Sequence, residues 1–422
     1  MLKKRVVGEM KRILILSNNV LSEISNNGKT LLSFFKNYEC SHIAQLYFSD
    51  EIPDVECFTK YYRISDKDIL KAIFRRHAEC GHSVSTTDVN KEIKRNIFMP
   101  KNYFLRFLRE VLWYSKRWRT ERLKGWLNEF SPDLVFFMGG DCCFAYDICE
   151  YICDTTGAVP VLYITDDYIL KRYEVSPFFW IRRGMLLRRM KKLTKRCVDF
   201  FTISEPMRKC YKDVLGKDSI VIANVSIDLH DAVPINSKYE LIYAGGLHYN
   251  RWKTLSAIGY ALSMYNIDAE KKAHLTIYST KKPSTKVLNA LEQHTACSYR
   301  GTLAADEIMK ELQAADILVH AEAFDRKSRQ ATRLSFSTKI PEYLSLRKCI
   351  LAVGPKELAS MEYLKDCAFS ITDPVMINKT NMAMLFNENE LEHMAERAYE
   401  KYLKNHSVEM IRERFIERLT NS

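Results

Sequence analysis

Short runs in which nearly every position is apolar recur along the chain. Longer stretches with helical spacing separate them. Residues 12–17, 132–138, 159–165 and 200–204 are such runs in the first half, and residues 240–244, 274–278, 317–320 and 349–353 repeat them in the second. A strand with one wet face alternates apolar and polar positions. A strand covered on both faces stays apolar throughout, as in a parallel sheet. Between the runs, residues such as Leu255, Ile258, Leu262 and Tyr265 share one helical face. The pattern predicts repeated βαβ units. Residues 224–238 break it with Asn, Asp, Pro and Ser and no period, which reads as a linker. The expected fold is therefore α/β: two doubly wound, Rossmann-like parallel-sheet domains facing a cleft. The first covers 1–230, the second 238–390, and helices at 391–422 are expected to pack back towards the first. Ligands of such sheets sit outside the carboxyl ends of the strands.

The longest uncharged run, residues 254–267, has 14 positions. A spanning helix needs about 20, so no transmembrane segment is expected. The basic amino terminus leads into a strand-like run without a small-residue cleavage site, so no signal peptide is expected either. Twelve cysteines are scattered without a Cys-x-x-Cys pair, which fits reduced thiols in a cytoplasmic protein. Lysine and arginine outnumber acids by 64 to 52 over 422 residues, a balance of +12 that favours an anionic partner. The excess is local. Residues 101–124 hold eight bases and two acids, and residues 171–196 hold ten bases and one acid. Phe104, Phe107, Leu108, Val111, Leu112 and Trp118 share a face in the first segment, and Phe178, Phe179 and Trp180 open the second. Basic amphipathic helices with aromatics suit an anionic membrane surface. They also suit nucleic acid, and a merely solvated basic face is the plain alternative; no nucleic-acid-binding module is recognisable beside them, so peripheral association with the inner face of a membrane is expected, and no nucleic acid. Arg182, Arg183, Arg188 and Arg189 are expected to face that surface.

Several motifs suggest chemistry that their neighbours contradict. Gly28-Lys29-Thr30 resembles the end of a P-loop, but the glycine required five positions earlier is Glu23. No Gly-x-Gly-x-x-Gly follows a strand. Asp66-Lys67-Asp68 has the form that holds metal-bound sugar nucleotides, yet Ser65 before it reads as a helix cap. His77, Cys80 and His82 lack a fourth ligand nearby. No metal and no cofactor are expected.

The second half carries the more informative constellation. Gly245 and Gly246 follow a strand, and Arg251 and Lys253 open the next helix. The glycines would let backbone approach an anion, and the bases would supply charge at a helix start. A plain strand-to-helix turn is the alternative. Glu322 ends a later strand, and Ser337, Thr338, Lys339, Pro341 and Glu342 open the helix after it. Pro341 and Glu342 suit a first turn. Two carboxylates and a lysine at one strand–helix turn could also hold ribose hydroxyls and a pyrophosphate.

These segments resemble GT-B glycosyltransferases of the family-4-like type found in bacterial capsular and exopolysaccharide biosynthesis. The likeness runs through Ser17-Asn18-Asn19 with Asn26-Asn27-Gly28-Lys29-Thr30-Leu31, Tyr163 to Tyr168, Phe201 to Ser204, Tyr243 to Gly246, and Ser335 to Leu344. That family carries two glutamates about eight positions apart. The second matches Glu342, eight positions back stands Leu334, and Glu322 is the better counterpart of the first. Gly246 stands where relatives often have arginine, leaving that role to Arg251, Lys253 or Arg333.

The resemblance implies a donor domain in the second half that binds a nucleotide sugar through Gly245, Gly246, Arg251, Lys253, Ser337, Thr338, Lys339 and Glu342. The first half would bind a lipid-linked or oligosaccharide acceptor, with Asn27, Gly28, Lys29 and Asp167 on that side. It also implies retention of configuration without a metal, and catalytic roles for Asp166 and Glu322. For Asp166 a buried helix cap is the bland alternative. A scaffold protein of the same fold that has lost catalysis is the second functional class. A hydrolase using Glu322 and Glu342 as a carboxylate pair fits poorly with the basic surroundings of Lys339.

Overall fold

The computed structural model describes residues 10–22, 26–35, 38–55, 58, 60–75, 78–84, 102–170, 174–224, 226 and 237–421. Contacts divide the chain into two compact units, 1–222 with 412–422, and 223–411.

The first unit is built on strands β1 (Ile13–Ser17), β2 (Ile43–Tyr47), β3 (Lys60–Arg63), β4 (His82–Val84), β5 (Leu134–Gly139), β6 (Val159–Ile164), β7 (Asp199–Thr202) and β8 (Ile220–Val221). They form one sheet in the order β4-β3-β2-β1-β5-β6-β7-β8. All neighbours are parallel except β3 and β4. The chain winds outward from β1 in one direction and then returns to the other side through β5, so the order reverses between β1 and β5. Helices α1 (Asn26–Phe35), α2 (Asp66–Phe74), α3 (Tyr103–Tyr114), α4 (Glu121–Phe130), α5 (Cys143–Thr156), α6 (Pro177–Arg196) and α7 (Glu205–Leu215) connect these strands. Ser65 caps α2 through a reciprocal capping box with Asp68. Asp66 accepts from Arg109 and Trp113. The Asp-x-Asp motif is thus a helix start tied to α3. The C-terminal segment joins this unit through Phe415, whose ring lies 4.8 to 5.6 Å from those of Phe34, Phe35, Phe136 and Phe201.

Two of the helices turn an unexpected face inward. In α3 the buried residues are Glu110 and Trp113, while Phe104, Leu105, Leu108 and Val111 are exposed. Trp118 lies beyond the helix and is buried. In α6 Arg182 is buried, which corrects the expectation that it faces an external surface. Its guanidinium sits 3.2 Å from Glu110 and donates to the backbone oxygen of Asp141 at 2.7 Å. Glu110 also accepts from the backbone N–H of Cys143 and Phe144 at the start of α5. Burial pushes the Glu110 carboxyl above its ordinary range, against the pull of those donors. Arg189 is likewise engaged, forked onto Asp147 at 2.8 and 3.0 Å. Arg188 alone of the four is exposed.

The second unit has strands β9 (Tyr239–Ala244), β10 (Ala273–Tyr278), β11 (Cys297–Gly301), β12 (Ile317–Ala321), β13 (Cys349–Val353) and β14 (Phe369–Ile371), in the order β11-β10-β9-β12-β13-β14. All neighbours are parallel. The order reverses between β9 and β12. Helices α8 (Arg251–Asp268), α9 (Thr285–Glu292), α10 (Ala305–Ala314), α11 (Arg326–Thr332) and α12 (Lys339–Ser345) follow in turn. The core beneath them is the apolar runs read from the sequence, with Leu241, Leu275, Ile317, Val319 and Leu351 fully enclosed.

His406 closes the helix Glu388–Asn405 onto this unit. Its Nδ1 donates to the Asn224 carbonyl at 2.8 Å, so Nε2 accepts from the Tyr363 hydroxyl at 2.8 Å. Burial holds its pKa down at about 4, and burial does the same for His320. Both are neutral in the folded protein and charge more readily when unfolded. Between pH 6.5 and 4 the unfolded chain binds more protons, so stability is complete above about 6.5 and is lost as pH falls towards 4. The expected loss is on the order of 3 kcal/mol for each histidine. Urea unfolding at pH 7 and 4.5 should show it, and a His406→Gln variant with an unchanged pH slope would remove His406 as its source.

Candidate functional site

Each unit gathers polar residues at the point where its strand order reverses, which is where open α/β sheets bind ligands. In the second unit this point lies beyond the ends of β9 and β12. Glu322, the residue after β12, is buried and forks onto Arg251 at the start of α8, with Nη2–Oε1 2.7 Å and Nε–Oε2 3.1 Å. The hydroxyl of Thr254 donates to the Glu322 backbone oxygen at 2.8 Å. Burial works against the Arg251 charge, but the facing carboxylate outweighs it and holds the pKa above the ordinary arginine value. His248 stands 3.3 Å from the other side of the guanidinium. The Nε2 of His320 lies 3.8 Å from Glu322 and is buried without a hydrogen-bond partner among the described residues.

The glycines lie close under neighbouring side chains. A Cβ on Gly245 would come 2.8 Å from the Tyr243 hydroxyl, and one on Gly246 2.4 Å from the His248 ring. A Cβ on Gly354, after β13, would come 2.8 Å from the Glu322 side chain.

The helix α12 is tied to the same edge, because the backbone N–H of Ala244 donates to the Tyr343 hydroxyl at 3.2 Å. Lys339 and Glu342 in its first turn form an ion pair at 3.1 Å. The Ser337 hydroxyl accepts from the Lys339 N–H at 3.3 Å, and Thr338 precedes the helix with its side chain exposed. Arg251, Glu322, Lys339 and Glu342 are thus brought to one end of one sheet. Lys253 shares the first turn of α8 with Arg251 but is exposed, with its ammonium 5.7 Å from the Trp252 ring.

In the first unit a cavity of about 330 Å³ opens beyond β1, β5 and β6. Asn18 and Asn19 line it from β1, Gly140 and Asp141 from β5, and Asp166, Asp167 and Tyr168 from β6. Helices α3 and α6 supply Tyr103, Arg106, Phe179, Arg182 and Arg183. Asp166 accepts from the N–H of Asp167 at 2.7 Å. The carboxylate of Asp167 is buried and accepts from the N–H of Ile169 and Leu170, which fixes the turn after β6. Gly28 lies inside α1, not in a phosphate loop. A Cβ there would come 2.4 Å from the Val20 carbonyl, so glycine permits the close packing of α1 on the segment after β1. Asn27 and Lys29 belong to the same helix, and their side chains lie outside the described residues. Asp141 and Arg106 escaped the sequence reading; the Gly139-Gly140-Asp141 stretch closing an apolar run was the available signal.

Among the described residues, no group of His, Cys, Asp or Glu side chains is placed to hold a metal ion, and His77 lies outside them. None of the described cysteines is paired, and among those residues no helix is long and apolar enough to cross a membrane.

No protein-family model matches the sequence, and no curated protein matches it. Solved structures do match along its whole length. An Escherichia coli trehalose-6-phosphate synthase structure bound with UDP-2-fluoro glucose is similar with a TM-score of 0.63 and 11% identity, covering 98% of this chain and 99% of that one. A Burkholderia xenovorans trehalose-phosphate synthase in complex with glucose-6-phosphate is similar at 0.61 and 10%, over 97% and 100%. TarM is similar at 0.61 and 11%, over 98% and 99%. The chain has the fold of these GT-B proteins, with two Rossmann-like parallel-sheet domains.

Proposed function

We propose that the protein is a glycosyltransferase that moves a sugar from a nucleotide-sugar donor to a lipid-linked or polysaccharide acceptor, with retention of configuration and without a metal. The observation that carries this reading is the convergence of Arg251, Glu322, Lys339 and Glu342 at the strand-order reversal of the second unit. The fold shared with structures that hold UDP-2-fluoro glucose or glucose-6-phosphate supports it. In the reaction the bond from the anomeric carbon to the diphosphate oxygen breaks, and its electron pair leaves with the diphosphate. The acceptor hydroxyl oxygen bonds to that carbon, and its proton passes to the departing diphosphate. Arg251 and Lys339 supply positive charge to the departing group. A thermal-shift panel of UDP, GDP, ADP and CMP sugars tests the reading, since a ligand of the folded state raises the melting temperature. The donor that shifts it should then be consumed, and the anomeric proton of the product reports the stereochemistry. No shift with any nucleotide sugar would overturn the proposal.

Glu342 is assigned to the ribose hydroxyls. Glu342→Ala should weaken nucleotide binding by about 1–3 kcal/mol, the cost of removing a charged hydrogen-bond partner. Calorimetric titration of the nucleotide into the folded variant checks this, and unchanged affinity would refute it.

Peripheral membrane binding is proposed on the outward faces of α3 and α6. Phe104, Leu105, Leu108, Val111, Trp180 and Ile181 are exposed there, and the Phe178 ring packs 5.0 and 5.5 Å from those of Phe104 and Phe107. Exposed bases such as Lys116, Arg117 and Arg188 accompany them. Each base contributes about 1 kcal/mol near an anionic surface, and salt screens it. The protein should therefore sediment with phosphatidylglycerol vesicles at low salt and much less at high salt. A Leu105→Ser, Leu108→Ser double variant should release it. Equal binding to neutral and anionic vesicles, or to neither, would refute the assignment.

A further inference from the structure

A second cavity, of about 250 Å³, lies in the helical layer of the first unit, where the turn between α3 and α4 meets α5 and α6. It shares no lining residue with the cavity beyond β1, β5 and β6. Asp147, Glu150 and Asp154 of α5 line it, with Arg189 and Lys192 of α6. All three carboxylates are paired: Asp147 with Arg189, Glu150 with Lys192, and Asp154 with Arg196.

Two lining bases are left over. Lys116 and Arg119 are exposed on the turn, and neither meets a carboxylate among the described residues. Arg119 lies over the rings of Trp118 and Tyr151, 5.1 Å from each centroid, and Lys116 lies 5.8 Å from that of Tyr114. Such contacts position a cation without neutralising it. The cavity therefore offers uncompensated positive charge to an anion. It is smaller than ordinary ligand pockets of roughly 300–1,000 Å³, which suits a phosphate group with a small substituent. An arginine fork beside a lysine point charge is the side-chain chemistry that phosphate oxygens take.

The surface next to the cavity indicates which phosphate. Tyr114 lines it and is exposed. The same residue ends an apolar stripe of α3 in which Phe104, Leu108 and Val111 are exposed as well. A free phosphate gains nothing from that stripe. A phospholipid does, because its acyl chains cover apolar surface while its phosphate stays at headgroup level.

We infer that this cavity is a headgroup site for a single anionic phospholipid, with the phosphodiester held by Lys116 and Arg119 and the acyl chains laid along the exposed stripe of α3. The inference rests on the membrane reading in setting α3 against lipid, and it deepens that reading: one lipid is bound stoichiometrically, beyond the general attraction of a charged surface.

The test is calorimetry on the full chain with dihexanoyl-phosphatidylglycerol below its micelle concentration, where no surface exists. The lipid should bind saturably at one site. Inorganic phosphate, which lacks the chains, and dihexanoyl-phosphatidylcholine, which lacks the net charge, should each bind about tenfold more weakly or worse. A Lys116→Gln, Arg119→Gln double variant should lose about tenfold or more in affinity for the anionic lipid, the equivalent of about 1.4 kcal/mol. A Lys191→Gln, Lys195→Gln double variant removes the same charge from exposed positions of α6 that do not line the cavity, and it should bind the monomeric lipid as wild type does. Both substituted lysine–arginine side chains are exposed, and a wild-type urea midpoint verifies that the variant is folded. Absence of saturable binding, phosphate that binds as tightly as the lipid, or equal affinities in the two double variants would each overturn the inference. Vesicle sedimentation without binding of the monomer overturns the site and leaves the surface reading standing; binding of the monomer without sedimentation refutes the surface reading and supports the site.

Discussion

Replacing Arg182 by glutamine is expected to destabilise the first unit by about 3–5 kcal/mol, because removal of one partner strands the other as an uncompensated buried charge. The stranded group is Glu110, whose carboxylate also receives two backbone N–H groups at the start of α5. Arg182 additionally holds the Asp141 carbonyl at 2.7 Å. Three elements, α3, α5 and α6, therefore meet on one ion pair. Arg188 lies on the same helix but is exposed, and Arg188→Gln should change stability by no more than about 0.5 kcal/mol. Urea unfolding followed by intrinsic fluorescence reports this unit well, since Trp113, Trp118, Trp126 and Trp180 all lie in it. An Arg182→Gln protein with the wild-type midpoint would show that the pair is not structural.

That pair also shows what sequence patterning can and cannot reveal. The continuous apolar runs at β1, β5, β6, β7, β9, β10, β12 and β13 were legible because both faces of those strands are covered. β2 was not, because Gln45 interrupts its run. In the structure Gln45 is buried and satisfied: it accepts from the Leu21 N–H and donates to Ser17 and to the Asn19 carbonyl. β3 was missed because it is short and closes on Lys60 and Arg63. Helix faces misled for a related reason. Counting charges along 171–196 finds one acid among ten bases, yet the acid that neutralises Arg182 lies 72 positions away in α3. The polar residues beyond the ends of β9 and β12 were legible because glycine, proline and charge cluster within a few positions of strand ends. The cavity beyond β1, β5 and β6 was not, because Asn18, Arg106, Asp141 and Arg182 come from four separate segments with no shared motif.

Arg251 and Lys339 carry the largest expected effects on catalysis. As the donor bond breaks, negative charge grows on the departing diphosphate, and groups that meet that charge act mainly on the transition state. Removing one such donor typically costs 10²- to 10³-fold in turnover, about 3–4 kcal/mol. Both residues are held in place while paired with a carboxylate, Arg251 with Glu322 and Lys339 with Glu342. Their orientation is thus set before a donor arrives, and each keeps N–H groups outside its pair, the Arg251 Nη1 beside His248 and the remaining ammonium hydrogens of Lys339, with which to meet a diphosphate. At least one of Arg251→Ala and Lys339→Ala should lower turnover by that factor, while affinity for the free nucleoside, which lacks the diphosphate, stays near wild type. Lys253→Ala should retain near-wild-type turnover, because its side chain is exposed and its ammonium lies against Trp252. Initial rates with the donor identified by thermal shift, together with nucleoside titrations, separate the two effects. Wild-type turnover in both the Arg251 and Lys339 variants would place the phosphate site elsewhere, and a large loss in Lys253→Ala would show that the start of α8, not its pairing with Glu322, addresses the diphosphate.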